Sequence, residues 1–483
     1  MKRPFRVRFA RPSNIKLSEQ AGGHDEALTC PKRPRSTSIG QGDQKQHSKS
    51  RLGCKECKLR RVKCDQTHPV CIRCQRRGSI CFSETPPSGW EVVIPAMISK
   101  PIAAPWMGEV NPEPKLLQYW LEKTSRILTL RPEDNPLSFP LLEHLVSTPS
   151  LLHAVQSISA GQEHFFDQSS LTTCLQQRGL ALHALRRELG DMSNVAPPTL
   201  LAIFLQGIST PWTEKYTNDF GRDHLIAARH ILENTLQDPT KRDDPLIQFI
   251  LGWFLYWDSA CAFLAAPNDL APLNTELIYN AIQTTRTSFH PMIGFSAELL
   301  YLIACLGRHC RLVLDTGFRD PALEATLEEQ LLAWNPEHDD HAVVDMSMAF
   351  RNHALIMLYN TCGMPAHNEG DITMEEASVP CKDAVRTLAL DSLERLFRSP
   401  ANSPCVQFHS IPLLTAACEL RAADVESRAA AIQHFRAIYS ATRVSMNIVA
   451  IEFIQELWDL HDFGVDMSWL ELLDIKDWTL TFA

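Results

Sequence analysis

The most distinctive segment of the sequence runs from residue 54 to residue 81 and reads Cys54-Lys-Glu-Cys57-Lys-Leu-Arg-Arg-Val-Lys-Cys64-Asp-Gln-Thr-His-Pro69-Val-Cys71-Ile-Arg-Cys74-Gln-Arg-Arg-Gly-Ser-Ile-Cys81. Its cysteines follow the spacing C-x2-C-x6-C, and the same spacing recurs 17 residues later. Each half supplies three thiolates, whereas a tetrahedral zinc site needs four ligands. Two such sites need only six cysteines if two sulfurs are shared. The spacing therefore favours a cluster of two zinc ions held by all six cysteines.

Three other uses of these cysteines remain open from the residues alone. The first is a set of three disulfides, but the N-terminal stretch MKRPFRVRFARP lacks the apolar region of a secretory signal. The second is a single four-cysteine zinc site with two spare thiols. The third is a zinc module that contacts only proteins. This alternative has to explain why the residues between the cysteines are so basic.

The charge of the chain is divided between its two ends. Residues 1–84 hold 20 Lys and Arg against 7 Asp and Glu, while the remaining residues hold 27 against 49. A small basic head on a large acidic body is the pattern expected when one end binds nucleic acid. No stretch of 18 uncharged apolar residues occurs in the chain, so we expect an intracellular protein without a membrane span.

Residues 51–84 resemble the fungal zinc binuclear cluster family of transcription regulators. The resemblance rests on the six cysteines, the basic run after Cys57 and the proline two residues before Cys71. It implies that Cys54 and Cys71 bridge two zinc ions and that Pro69 follows a cis peptide bond. It also implies that Arg60 and Arg61 meet base edges of a CGG triplet in the major groove of double-stranded DNA.

The basic residues of this segment suit those roles. An arginine can donate two hydrogen bonds to one guanine, and this pair of bonds favours guanine over the other bases by roughly 1–3 kcal/mol. With Leu59 and Val62 facing inward, we predict that the outward side chains of the first half contact DNA, namely Lys58, Arg60, Arg61 and Lys63. In the second half we interpret Arg76 and Arg77 as phosphate contacts, which position the protein without specifying sequence.

The segments on either side of the cluster are expected to lack a core. Residues 1–50 form a basic tail that we predict to be disordered, and its alternating run Phe5–Phe9 has no evident partner strand. Lys32, Arg33 and Arg35 suggest a nuclear import signal, with a basic arm touching phosphates as the alternative. Residues 85–113 form a proline-rich linker. Its prolines exclude the coiled coil by which many relatives dimerise.

Residues 114–483 carry apolar residues at helical spacing throughout, which predicts an all-α domain. This region resembles the helical regulatory domain that accompanies fungal zinc clusters. The matching stretches include Asp134-Asn-Pro136, Ser150-Leu-Leu-His-Ala-Val155 and Gly294-Phe-Ser296. No nucleotide-binding or nucleophile motif occurs, so we predict no enzyme. The run 337–341, EHDDH, is interpreted as a loop, and the aromatic residues near Trp253 as core that leaves room for a small-molecule effector.

These observations predict a nuclear, sequence-specific regulator of RNA polymerase II transcription that binds DNA and coregulators. The family resemblance suggests control of one metabolic or biosynthetic gene set. The alternative is a zinc-stabilised interaction module or corepressor without base readout. The acidic, aromatic residues 462–483 fit either an activation segment or closing helices of the body, and their apolar spacing favours packed helices.

Overall fold

The computed structural model describes residues 53–82, 112–163, 168–190, 195–212, 219–266, 275–285, 288–336, 338–364, 374–400 and 402–482, together with four short strands. Two short helices lie between the cysteines, α1 (Lys55–Leu59) and α2 (Ile72–Arg77). The predicted order of structural units, a cysteine cluster followed by a helical body, is confirmed.

The four strands form two antiparallel pairs. Strand β1 (Arg6–Phe9) pairs with β2 (Trp90–Val93), and β3 (Ile102–Ala104) pairs with β4 (Gly108–Val110). The expectation that the run Phe5–Phe9 has no partner strand is therefore wrong. Its partner lies far along the chain in the linker, where no local pattern reveals the pairing. The import-signal residues Lys32, Arg33 and Arg35 lie outside the described residues.

The helical body begins at Pro114, the first residue of its first helix. Its helices in chain order are α3 (Pro114–Glu122), α4 (Leu142–Leu145), α5 (Pro149–Glu163), α6 (Gln168–Glu188), α7 (Pro197–Ile208), α8 (Arg222–Gln237), α9 (Pro239–Arg242), α10 (Pro245–Cys261), α11 (Thr275–Thr285), α12 (Ala297–Thr316), α13 (Pro321–Ala333), α14 (His341–Cys362), α15 (Met374–Arg398), α16 (Ser410–Cys418), α17 (Val425–Thr442), α18 (Met446–Asp462) and α19 (Trp469–Lys476).

Helix α10 lies within the core of the body, because most of its residues are apolar and buried. Asp244 caps its first turn by accepting a hydrogen bond from the amide of Leu246 at 2.8 Å, and Pro245 suits its first position. From Phe249 to Cys261 every residue of the helix is buried, as expected for a helix without a polar face. Among the described helices, none is both long and apolar enough to span a membrane.

Close helix packing at the centre depends on a glycine. A Cβ atom on Gly207 of α7 would lie 2.1 Å from the ring of Trp257 on α10. Real Cβ atoms do not approach other atoms so closely, so only glycine allows this contact. The ring of Phe204, one turn earlier, then meets Trp257 edge to face, with centroids 5.5 Å apart.

Within the polar run 337–341, residues 338–340 form a loop, as predicted, and Asp340 also caps α14, whose first residue is His341. The Asp340 carboxylate accepts hydrogen bonds from the amides of Ala342 and Val343, at 3.0 and 3.4 Å. The ring of His338 lies 4.9 Å from that of Phe295. These residues stabilise the start of a helix and the packing beside it, and Glu337 lies outside the described residues.

Candidate metal centre and nucleic-acid interface

The two halves of the cysteine repeat fold alike. Helix α1 begins after Cys54, whose sulfur accepts a hydrogen bond from the amide of Cys57 at 3.4 Å. Helix α2 begins after Cys71, whose sulfur accepts one from the amide of Cys74 at the same distance. A sulfur thus caps each short helix, and the sequence repeat becomes a structural repeat.

The six sulfurs converge in one buried cluster. The Sγ atoms of Cys54 and Cys71 lie 3.8 Å apart, and Cys54 Sγ lies 3.7 Å from Cys74 Sγ. With zinc–sulfur bonds of about 2.3 Å, the edge of a tetrahedral site is about 3.8 Å. The sulfurs fall into two sets of four, and within each set they lie within 4.8 Å of one another: Cys54, Cys57, Cys64 and Cys71 in one, and Cys54, Cys71, Cys74 and Cys81 in the other.

Cys54 and Cys71 belong to both sets, so the donor atoms fit two zinc ions that share two thiolates. Burial, together with the neighbouring thiols, raises the pKa of Cys57 and Cys81 well above the usual range and that of Cys74 to about 12. A metal cation replaces the protons of such crowded thiols. Because folding brings the six sulfurs together, zinc binding and folding are coupled.

Two features join the halves. The peptide bond between His68 and Pro69 is cis, as the resemblance implied. The carboxylate of Asp65 accepts hydrogen bonds from the amides of Ile72 and Arg73 at the start of α2, at 3.0 and 3.3 Å. Although slight burial opposes it, hydrogen bonds from Thr67 and these amides lower the pKa of Asp65.

Asp65 is a residue that our sequence analysis missed. The available signal was an aspartate two residues before a threonine, because such side chains accept hydrogen bonds from the backbone that follows them. Thr67 donates to Asp65 through both its amide, at 3.2 Å, and its hydroxyl, at 2.5 Å. Asp65 therefore closes the turn after Cys64 and caps the second half-repeat.

The inward orientation expected for Leu59 and Val62 is wrong. Helix α1 ends at Leu59, whose exposed fraction is 71%, while that of Val62 is 38%. The interior of this small unit is filled by the cysteines and Val70, and no space remains for two more apolar side chains. Arg61 follows the helix with a positive φ of 56°, so the chain turns sharply there.

The predicted DNA-contacting residues are exposed in both halves of the cluster. They are Lys58, Arg60, Arg61 and Lys63 in the first half, and Arg76 and Arg77 in the second. Arg73, beside them, is exposed as well. Arg60 has an internal partner, because its Nε atom lies 2.5 Å from a carboxylate oxygen of Glu56. The structure thus presents a basic surface beside the buried sulfurs.

Comparison with known proteins identifies the family to which this architecture belongs. Residues 52–90 match the fungal Zn(2)-Cys(6) binuclear cluster domain, and residues 115–483 match the fungal specific transcription factor domain. The chain belongs to the fungal-specific transcription factors. Members of this family are transcription factors and not enzymes. The matched cluster domain of this fungal transcription factor binds two zinc ions, and Cys54 and Cys71 would be the ligands that the two ions share.

Individual relatives resemble this fungal transcription factor over short stretches. A Zn(2)-C6 fungal-type transcription factor of Aspergillus fumigatus is 48% identical over 46 residues, which are 10% of this chain and 12% of the relative. The aspercryptin biosynthesis cluster-specific transcription regulator of Emericella nidulans is 51% identical over 41 residues, 8% of this chain and 7% of the relative.

A third relative is sterol uptake control protein 2 of Candida albicans, which is 50% identical over 51 residues, 11% of this chain and 7% of the relative. The matched stretches therefore span at most about an eighth of the length of these three relatives. No solved structure matches the chain.

Proposed function

We propose that this protein is a nuclear, sequence-specific activator or repressor of RNA polymerase II transcription that recognises CGG-containing DNA. The observation that carries the proposal is the exposed basic surface beside the cysteine cluster. Zinc supplies the rigidity that so short a segment lacks and holds the two halves in one geometry. The relative named as a cluster-specific regulator supports a role in one biosynthetic gene set.

Within this surface we assign base reading to Arg61 and Arg60, with Lys58 and Lys63 beside them. Arg61 lies just beyond the end of α1 and is exposed. Glu56 pairs with the Nε atom of Arg60 and so orients its side chain, while a guanidinium can still donate to a base from its terminal nitrogens. The exposed Leu59 and Val62 add apolar surface that suits the methyl group of thymine.

The experiment compares two arginine substitutions in the full chain. We expect Arg61→Ala to reduce the preference for CGG over scrambled duplexes, because a base contact is lost. Arg77→Ala is the matched control, since loss of a phosphate contact weakens all duplexes alike and reduces the salt dependence by about one unit. Affinities measured at several salt concentrations separate the two outcomes.

An even loss across sequences on Arg61→Ala contradicts the base-reading role. If neither arginine affects binding and the wild-type protein shows no preference among duplexes, the cluster is a protein-interaction module or part of a corepressor. The proposed import signal at Lys32, Arg33 and Arg35 is tested separately, by replacing all three with alanine and following the location of a fluorescent fusion.

We further propose that the body binds a small-molecule effector in a cavity of about 310 Å³ beside α10. Its walls include the aromatic rings of Phe249, Phe289 and Phe295, while Glu298 adds a carboxylate. This lining suits a flat apolar molecule that carries an amine or another hydrogen-bond donor. In a thermal-shift screen, aromatic amines are expected to raise the melting temperature of the wild-type protein by more than that of Glu298→Ala, which lacks the acceptor.

A further inference from the structure

The cysteine cluster lies against one face of helix α17. Gln433, Arg436, Ala437 and Ser440 recur at intervals of three and four residues, so they share one side of the helix. Ala437 packs against the buried cysteines, although more than 350 residues separate them in the chain. Arg443, the residue that follows the helix, extends this face.

Three hydrogen bonds join the face to the last loop of the cluster, residues 78–82. The amide of Cys81 donates to the hydroxyl of Ser440 at 3.0 Å. The guanidinium of Arg436 donates to the carbonyl of Gly78, and that of Arg443 donates to the carbonyl of Cys81, each at 3.1 Å. These contacts bind the backbone around a cysteine of the cluster.

The approach at Gly78 requires a glycine for two reasons. Its φ is +60°, a conformation that disfavours other residues, and a Cβ atom there would lie 2.4 Å from Cγ of Gln433. The absence of a side chain at Gly78 therefore lets the Gln433 side chain pack directly against the loop.

Arg443 is held in a conformation that needs outside support. Its φ is +61°, which is uncommon for a residue other than glycine. Its guanidinium lies 4.9 Å from the centroid of the Phe82 ring, and burial lowers its pKa. Burial of this cation and its positive φ both cost free energy. The contacts with the Phe82 ring and the Cys81 carbonyl offset this cost.

The contact leaves the basic side of the cluster open. All seven basic side chains from Lys58 to Arg77 are exposed while the loop 78–82 is docked. Contact with α17 is thus compatible with the exposure of every residue assigned to DNA.

We propose that the face formed by Gln433, Arg436, Ala437, Ser440 and Arg443 is a docking surface for the cluster's loop 78–82, and that it holds the cluster with its basic side outward and slows the loss of zinc. A surface that binds only the folded, metal-loaded cluster increases its affinity for metal by linkage. The contact between loop 78–82 and this surface is the same whichever DNA sequence the protein recognises.

The test measures zinc release from the full-length protein. The variant combines Arg436→Ala with Arg443→Gly, because glycine accepts the positive φ and keeps the end of α17 intact. We expect zinc release to a metallochromic chelator to become about tenfold faster, as two hydrogen bonds from charged groups are lost. Arg428→Ala is the matched control on the same helix, since Arg428 pairs with Asp462 at 2.7 Å instead.

Two further measurements make the result specific. Hydrogen exchange is expected to speed up at the amide of Cys81 in Ser440→Ala, which removes its acceptor. Affinity for DNA is expected to change by less than about threefold in the Arg436→Ala, Arg443→Gly variant, as measured on any duplex that the wild-type protein binds. Unchanged zinc release together with unchanged amide exchange overturns the docking surface. A large gain in DNA affinity overturns the outward orientation, because it means that docking hides the DNA-binding side.

Discussion

Arg308 and Asp258 form a two-point ion pair inside the helical body. The guanidinium nitrogens of Arg308 on α12 lie 2.8 and 2.7 Å from the two carboxylate oxygens of Asp258 on α10. The Asp258 side chain is fully buried. The aspartate within the largely apolar helix α10 is therefore matched by a cation from α12, and replacing Asp258 leaves the mostly buried Arg308 without its acidic partner.

We expect Asp258→Ala to lower the free energy of unfolding by about 3–5 kcal/mol, because Arg308 then stays buried and unpaired. Urea unfolding followed by circular dichroism measures this change. Asp315→Ala is the control, since Asp315 pairs with Arg311 one turn away on the same helix and is partly exposed. Its expected cost is about 0.5 kcal/mol. Similar losses in the two variants contradict a special role for the buried pair.

A second prediction concerns pH. The Nδ1 atom of His290 accepts hydrogen bonds from the amides of Met292 and Ile293, at 3.1 and 3.3 Å, and Nε2 lies 3.0 Å from the carbonyl of Phe249. This arrangement needs a neutral ring, and burial lowers the pKa of His290 to about 4.

Below about pH 6.5, His290 binds a proton in the unfolded chain, whereas in the folded chain its ring stays neutral until the pH approaches about 4. The free energy of unfolding therefore falls by up to about 1.4 kcal/mol per pH unit as the pH decreases from 6.5 to about 4. His290→Asn keeps an acceptor but does not titrate, so its urea midpoint is expected to vary less between pH 7 and pH 5. Parallel pH profiles for the two proteins would exclude this contribution.

The third prediction concerns the C-terminal segment. Trp469 on α19 is fully buried, and its ring meets that of Phe263 edge to face with centroids 5.1 Å apart. Leu480 and Phe482 are also buried, as the packed alternative predicts. We expect Trp469→Ala to destabilise the body by about 3–5 kcal/mol, and truncation after His461 to lower the melting temperature.

Phe463→Ala serves as the control for that prediction. The exposed fraction of Phe463 is 87%, so its loss is expected to change the free energy of unfolding by less than about 0.5 kcal/mol. If the truncated protein melts like the full chain, and residues 462–483 activate a reporter when fused to an unrelated DNA-binding domain, the segment is an activation tail.

The fourth prediction distinguishes shared from unshared cysteines. Cys54 lies in both four-sulfur sets and Cys57 in one. Native mass spectrometry is expected to find two zinc ions in the wild-type protein and none in Cys54→Ser, because a bridging thiolate serves both ions. Cys57→Ser is expected to retain one zinc ion more often than Cys54→Ser, because Cys57 belongs to only one of the two four-sulfur sets. Equal zinc contents in the two variants argue against bridging by Cys54.

Much of the candidate site is predictable from the sequence because its geometry depends on short-range spacing. The C-x2-C pairs place sulfurs at the start of α1 and α2, and the repeat brings the halves together. The orientation of Leu59 and Val62 was predicted wrongly, since helical spacing does not reveal that the six cysteines already fill the interior. The role of Asp65 was missed because its partners lie seven and eight residues further on.

The cysteine cluster, the helical nature of the body and the charge division between them follow from residue spacing and composition, so they can be predicted from the sequence. Which distant residues meet cannot be predicted in this way. The ion pair of Arg308 with Asp258, the pairing of Arg6–Phe9 with Trp90–Val93 and the contact of Cys81 with Ser440 are of this kind. Each depends on how complete helices and strands pack, and the packing is set by the shape of the whole core and not by any local pattern.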